Sequence, residues 1–144
     1  MSSIDTEYMF SHVPALNVHN VWPLVQQPIS SVLANNIAFT AQGVHDSLVA
    51  GSNTLWLRHA KDNQRDIAAC YVTTFAQYDT GLFLVVFICS AMNDHDFNYA
   101  ATVEFFTELG KSCGAVGWEV VGRSGWGKKY PQLRREGTVF RSLF

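Results

Sequence analysis

The residues of this chain whose types can do chemistry are five histidines, three cysteines and one glycine-rich basic turn. His12, His19, His45, His59 and His95 include no HExxH pair, and Cys70, Cys89 and Cys113 include no CxxC spacing. No zinc site is therefore expected. His95 stands between Asp94 and Asp96, a ligand-like neighbourhood. The plainer account is an acidic helix start, which favours the helix dipole, and no metal is expected there. No Ser/His/Asp order can be picked out. Gly122 to Lys128 has most of a phosphate-binding loop, but position 129 is lysine where Mg²⁺ needs a hydroxyl. Gly122-Arg123-Ser124-Gly125 is not a nucleophile elbow, because position 126 is tryptophan rather than glycine.

Charge is distributed unevenly. The net charge is −2, yet Arg123, Lys128, Lys129, Arg134, Arg135 and Arg141 crowd the last part of the chain behind an acidic body. Such an end suits nucleic acid or an acidic protein face, or is simply solvated. Hydrophobic residues make up 48% and charged residues 15%, so a globular domain is expected rather than a disordered chain. No apolar run approaches the ~20 residues of a membrane helix. MSSIDTEYMF has no basic region followed by an apolar core, so no signal peptide is expected. The three cysteines lie in apolar periodic segments and read as buried free thiols.

The elements that must position these groups follow from period and punctuation. Residues 1–16 read as extended or loose, and 1–19 as an N-terminal segment before a domain of 20–144. Asn20 is expected to cap a helix from Val21, with Trp22, Val25, Ile29 and Leu33 inward; Pro28 should kink or split it. Thr40 should cap a second helix, Ala41 to Ala50, ended by Gly51. Strands are expected at Thr54–Arg58 and Asp66–Gln77, the latter with Ile67, Ala69, Tyr71, Thr73 and Phe75 on one face. A central strand is expected at Leu82–Ala91, buried on both faces. Phe97, Ala101, Phe105, Leu109 and Cys113 form a helical stripe closed by Gly114. Gly117–Val121, a basic helix over Lys128–Arg135 and a strand over Thr138–Phe144 complete the chain. The fold class is α/β (α+β), one domain with a mixed sheet in the order α-α-β-β-β-α-β-α-β. The crossover helix makes 82–91 parallel to 117–121.

That order resembles the GNAT acetyltransferase fold. More narrowly, Trp22-Pro23, Leu55-Trp56 and the Gly122-Arg123-x-Gly125-Trp126 turn are similar to small GNAT-like proteins of tailed bacteriophages, and to a small internal virion protein of short-tailed phages. The resemblance covers 20–144. It implies a coenzyme A pyrophosphate loop of the form (Gln/Arg)-x-x-Gly-x-(Gly/Ala) before the crossover helix. The corresponding residues, Met92 to Asn98, contain no glycine and two carboxylates. The resemblance also implies a tyrosine general acid in the last helix, which would be Tyr130, followed here by Pro131.

The reading at this level is a non-enzymatic virion or assembly component, a pseudoenzyme without cofactor. It would occupy the host cytoplasm before assembly, and then the virion. Other virion proteins would be its partners in a multi-copy assembly. Nucleic acid is a further partner through the basic end, and no membrane is involved. Arg123, Trp126, Lys128, Lys129, Arg134 and Arg135 are the expected partner-binding residues. Two alternatives stand beside it: an acetyl-CoA-dependent N-acetyltransferase with an altered cofactor loop, and a regulator of a host protein or nucleic acid.

Overall fold

The sheet is assembled around β3 (Asn63–Tyr78), a 16-residue strand that carries antiparallel neighbours on both sides. The computed structural model describes residues 7–34 and 38–121. Within them the sheet has five strands in the order β1-β2-β3-β4-β5. β1 is Tyr8–Val13, β2 Thr54–Ala60, β4 Gly81–Ala91 and β5 Gly117–Val120. All pairs are antiparallel except β4 with β5, which is parallel. The expected parallel pairing is thus present. The N-terminal segment differs from expectation, because residues 8–13 are a true edge strand in register with β2.

Helices α1 (Val18–Leu33) and α2 (Ala41–Val49) cover one face of the sheet. Helix α1 begins three residues before the expected Val21 and runs unbroken through Pro23 and Pro28. Each interior proline costs about 3 kcal/mol. Burial of Val18, Val25, Ile29 and Leu33 against the sheet, at about 1.5–3 kcal/mol each, offsets the two. Helix α2 starts as expected, with Thr40 Oγ1 accepting from the Gly43 N–H at 3.1 Å.

The other face is covered by α3 (Tyr99–Ser112). Its buried line is Thr102, Phe106 and Gly110, one position on from the expected stripe. Phe105 and Leu109 are half-buried beside it, and Cys113 is exposed rather than buried. Cys70 alone is fully enclosed, and burial pushes its thiol up to about 12. Phe106 packs edge-on to Tyr71 at 5.1 Å, and Phe105 stacks on Phe10 at 4.2 Å.

Two bulges reset the alternation of side chains. Pairing of β2 with β3 skips Ala68, so Ile67 faces α1 and α2 whereas Ala69 and Tyr71 face α3. The expected single face from Ile67 to Phe75 therefore breaks there. Pairing of β3 with β4 skips Phe87. Phe87 and Ile88 consequently share the α1–α2 face, while Leu84, Val86 and Cys89 share the α3 face.

Helix α3 is fixed to the sheet by buried hydroxyls. Thr102 donates to the Asn98 carbonyl at 2.8 Å, and so accepts from the Tyr71 hydroxyl at 3.0 Å. Tyr71 is fully buried, and that burial pushes its phenol well above the usual range. Thr102→Val leaves the Tyr71 O–H buried without an acceptor, a loss of about 1–3 kcal/mol. Tyr71→Phe removes the donor itself and should cost only about 1 kcal/mol. Urea unfolding of the two variants checks this order.

Candidate functional site

The parallel side of the sheet is the pairing of β4 with β5. The two pair over four residues, from Phe83 opposite Gly117 to Val86 opposite Val120. The approach is close: a Cβ on Gly117 would meet the Phe83 ring at 2.7 Å. Leu82 and Val86 turn their carbonyls to the β5 side, accepting from Val116 and Val121 at 2.8 and 3.0 Å. The bulge at Phe87 then inverts the parity. Beyond it, even-numbered residues serve β3, as the 2.8 Å bond from Met92 N–H to the Ala68 carbonyl shows. By this alternation, the peptide groups of Cys89 and Ala91 turn toward the β5 side of the strand.

The chain between β4 and α3 turns sharply just beyond this edge. Asn93 and Asp94 have φ of 53° and 60°, the left-handed region that costs most residues about 1–2 kcal/mol and that Asn and Asp tolerate best. The turn is held by Asn93 Nδ2 donating to the Ile67 carbonyl at 2.9 Å and by His95 N–H donating to the Met92 carbonyl at 3.0 Å. Asn98 caps α3, its Oδ1 accepting from Ala101 N–H at 3.0 Å.

A polar cluster secures the same turn. The Asp66 carboxylate, at the start of β3, accepts from the Tyr8 hydroxyl of β1 through Oδ2 and from His95 Nε2 through Oδ1, both at 3.0 Å. A carboxylate only accepts, so the His95 proton facing it sits on Nε2. The Arg58 guanidinium lies 4.7 Å from the centre of the Tyr8 ring, and Tyr8 meets the His95 ring edge-on at 5.4 Å. The hydrogen bonds from His95 and then Tyr8 hold the Asp66 carboxyl below its usual range, against a smaller opposing effect of burial. Burial, followed by the bond and charge of Asp66, raises the Tyr8 phenol, with Arg58 opposing.

Two other features are structural. Ser11 Oγ lies 2.9 Å from His59 Nε2, but His59 is buried and its Nδ1 is occupied by the Ala60 carbonyl at 2.8 Å. A cavity of about 120 Å³ lies at the far end of α3, lined by Thr107, Lys111, Val116 and Trp118 among others. It is too small for a ligand site of ordinary size. Among the described residues no group of three or more His, Cys, Asp or Glu side chains is placed to hold a metal.

Of the residues singled out in the sequence, His95, Asp94 and Asp96 lie in the turn before α3. Arg123, Trp126, Lys128, Lys129, Tyr130, Arg134 and Arg135 lie outside the described residues. The cluster of Tyr8, Asp66 and His95 was not foreseen. Its members are 58 and 29 residues apart, and only the flanking of His95 by aspartates marked it.

No protein-family model matches the chain, and no curated protein matches it by sequence. Solved structures do. A ribosomal-protein-alanine N-acetyltransferase from Brucella melitensis biovar Abortus 2308 superposes with TM-score 0.65 at 10% identity, covering 96% of this chain and 98% of its own. A predicted acetyltransferase from Clostridium acetobutylicum, solved with acetyl-CoA, gives 0.63 at 13% over 96% of each. An aminoglycoside acetyltransferase from an uncultured soil metagenomic sample gives 0.68 at 12% over 96% and 99%. The fold is that of the GNAT acetyltransferases. These relations overturn the reading as a non-enzymatic virion component, a structural pseudoenzyme of phage particles. Structures named as acetyltransferases match almost the whole chain, and nothing ties it to a phage particle. The physical ground for that reading also weakens. Asn93 and Asp94 make the turn without glycine, and Asp94 and Asp96 are both exposed.

The Asp66 bonds carry a pH signature. A carboxyl held below its usual range adds stability at all pH values above that range, and the contribution is lost as pH falls through its own lower value. Asp66→Asn should therefore unfold more readily than wild type at pH 7. The gap should close on acidification below about pH 4, as followed by thermal melts. An unchanged gap at pH 3 would contradict the assignment.

Proposed function

We propose that the protein is an acetyl-CoA-dependent N-acetyltransferase with an altered donor loop. The observation that carries this reading is the fold, which is shared over almost the whole chain with structures named acetyltransferases. The peptide group of Ala91, on the β5 side of β4, can bond an extended, amide-bearing chain in the manner of an added strand, and the pantetheine arm of coenzyme A is such a chain. The turn at 92–98 leads straight into α3, whose N-terminal dipole favours phosphate.

Asp94 and Asp96 oppose an anionic donor, and the magnitude of that opposition decides whether the reading survives. Both are exposed. In water a like-charge contact at 4 Å costs about 1 kcal/mol, set against about 8 kcal/mol for a micromolar ligand. The carboxylates weaken donor binding without abolishing it.

Bound acetyl-CoA supplies a thioester: the acceptor nitrogen bonds to the acetyl carbon, the C–S bond breaks, the amine loses a proton and the thiolate gains one. This chain's part is to align the donor along β4 and to set its phosphates at α3. Tyr130 is the residue that the resemblance implies as proton donor to the thiolate, and Tyr130→Phe addresses it.

Acetyl-CoA is to be presented with aminoglycosides and with a peptide beginning in alanine, acceptors suggested by the similar structures. Acceptor-dependent thiol release is expected. Asp94→Asn with Asp96→Asn should lower the donor KM by up to about tenfold, the effect of ~1.4 kcal/mol. Absence of calorimetric binding to millimolar acetyl-CoA would overturn the proposal.

A further inference from the structure

We infer that Tyr8, Asp66 and His95 form a latch that presets the donor loop and so governs affinity for the donor, a role that rests on the acetyltransferase reading. The turn at Asn93 and Asp94 lies in a backbone region that side-chain-bearing residues occupy only when their surroundings fix it. Four bonds do so here. Two come from the strand before it, through Met92 N–H to the Ala68 carbonyl and Asn93 Nδ2 to the Ile67 carbonyl. A third closes the turn on itself, from His95 N–H to Met92. The fourth is His95 Nε2 to Asp66, a side-chain bond from just beyond the strained pair to the start of β3.

Asp66 is itself held from β1 by the Tyr8 hydroxyl, and the Tyr8 ring is flanked by Arg58 of β2. The turn is thereby referenced to three strands, β1, β2 and β3. A glycine loop adopts such a turn without strain but also leaves it freely; this loop is built from residues that resist the turn and is locked into it. Ordering of the loop is then complete before the donor arrives, and its entropy is not lost on binding. His95 leans from β4 toward β3 and β1, away from the β5 side where the thioester would lie. That direction makes it a positioning residue and not a base for the acceptor amine.

The test compares His95→Ala, His95→Gln and Tyr8→Phe in the full chain. Glutamine places an N–H donor close to where His95 Nε2 stands and so repairs the bond. Three readouts apply: acetyl-CoA Kd by calorimetry, kcat for thiol release, and amide hydrogen exchange at 93–97 without ligand. His95→Ala is expected to weaken donor binding about tenfold, to leave kcat within twofold, and to speed exchange at 93–97 alone. His95→Gln should restore all of these, and Tyr8→Phe, which removes a single hydroxyl, should lie between. A fall in kcat at unchanged Kd would overturn the proposal, because His95 would then act in the chemistry. Unchanged exchange at 93–97 in His95→Ala would overturn it as well, even in a protein that binds no acetyl-CoA. If exchange rises as expected but wild type binds no acetyl-CoA, the enzyme reading fails and the inferred control of donor affinity fails with it, leaving the latch itself supported.

Discussion

The structure depends on the parallel pairing of β4 with β5. β4 and β5 are joined through α3, so the crossover fixes their common direction. Contact is tight at Phe83 and Gly117 and runs through four residue pairs to Val86 and Val120. β4 itself runs on to Ala91, and the chain then turns toward the N-terminus of α3.

The surrounding structure holds the turn after β4 and the start of α3 in place. On the α3 side, Tyr71, Thr102 and Asn98 tie the helix start to β3 through buried hydroxyls. On the β1 side, Tyr8 and Asp66 reach the turn through His95. The bulge at Phe87 keeps Ile88 in the core with α1 and α2 while turning Cys89 to the α3 face. Removal of the bulge would shift every later residue of β4 to the wrong face, because strand side chains alternate with period two. Packing of both faces and the direction of the β4 peptide groups are thus the same constraint.

Much of this was legible in the residues. The apolar run at 82–91 announced an interior strand, Thr40 and Gly51 bounded α2, and Gly114 with φ of +79° closes α3. The bulges were not legible, since nothing in the local composition at Ala68 or Phe87 departs from a regular strand. The buried line of α3 was placed one residue off because Thr102 and Gly110 do not count as apolar. Their places on that line come from a hydroxyl bond to Tyr71 and from close approach to Leu84. Absence of glycine from 92–98 was read as loss of function, whereas Asn93 and Asp94 reach the required φ and distant partners hold them there. Partners that far apart in the chain leave no periodic trace.

The central claim is that the donor lies along β4 beyond Val86. Amide hydrogen exchange with and without acetyl-CoA addresses it residue by residue. The account predicts that acetyl-CoA slows exchange at Cys89 and Ala91 and leaves the β5-paired stretch from Leu82 to Val86 unchanged. No protection at Cys89 and Ala91 under saturating acetyl-CoA, or protection confined to the α3 end lined by Thr107 and Trp118, would contradict it.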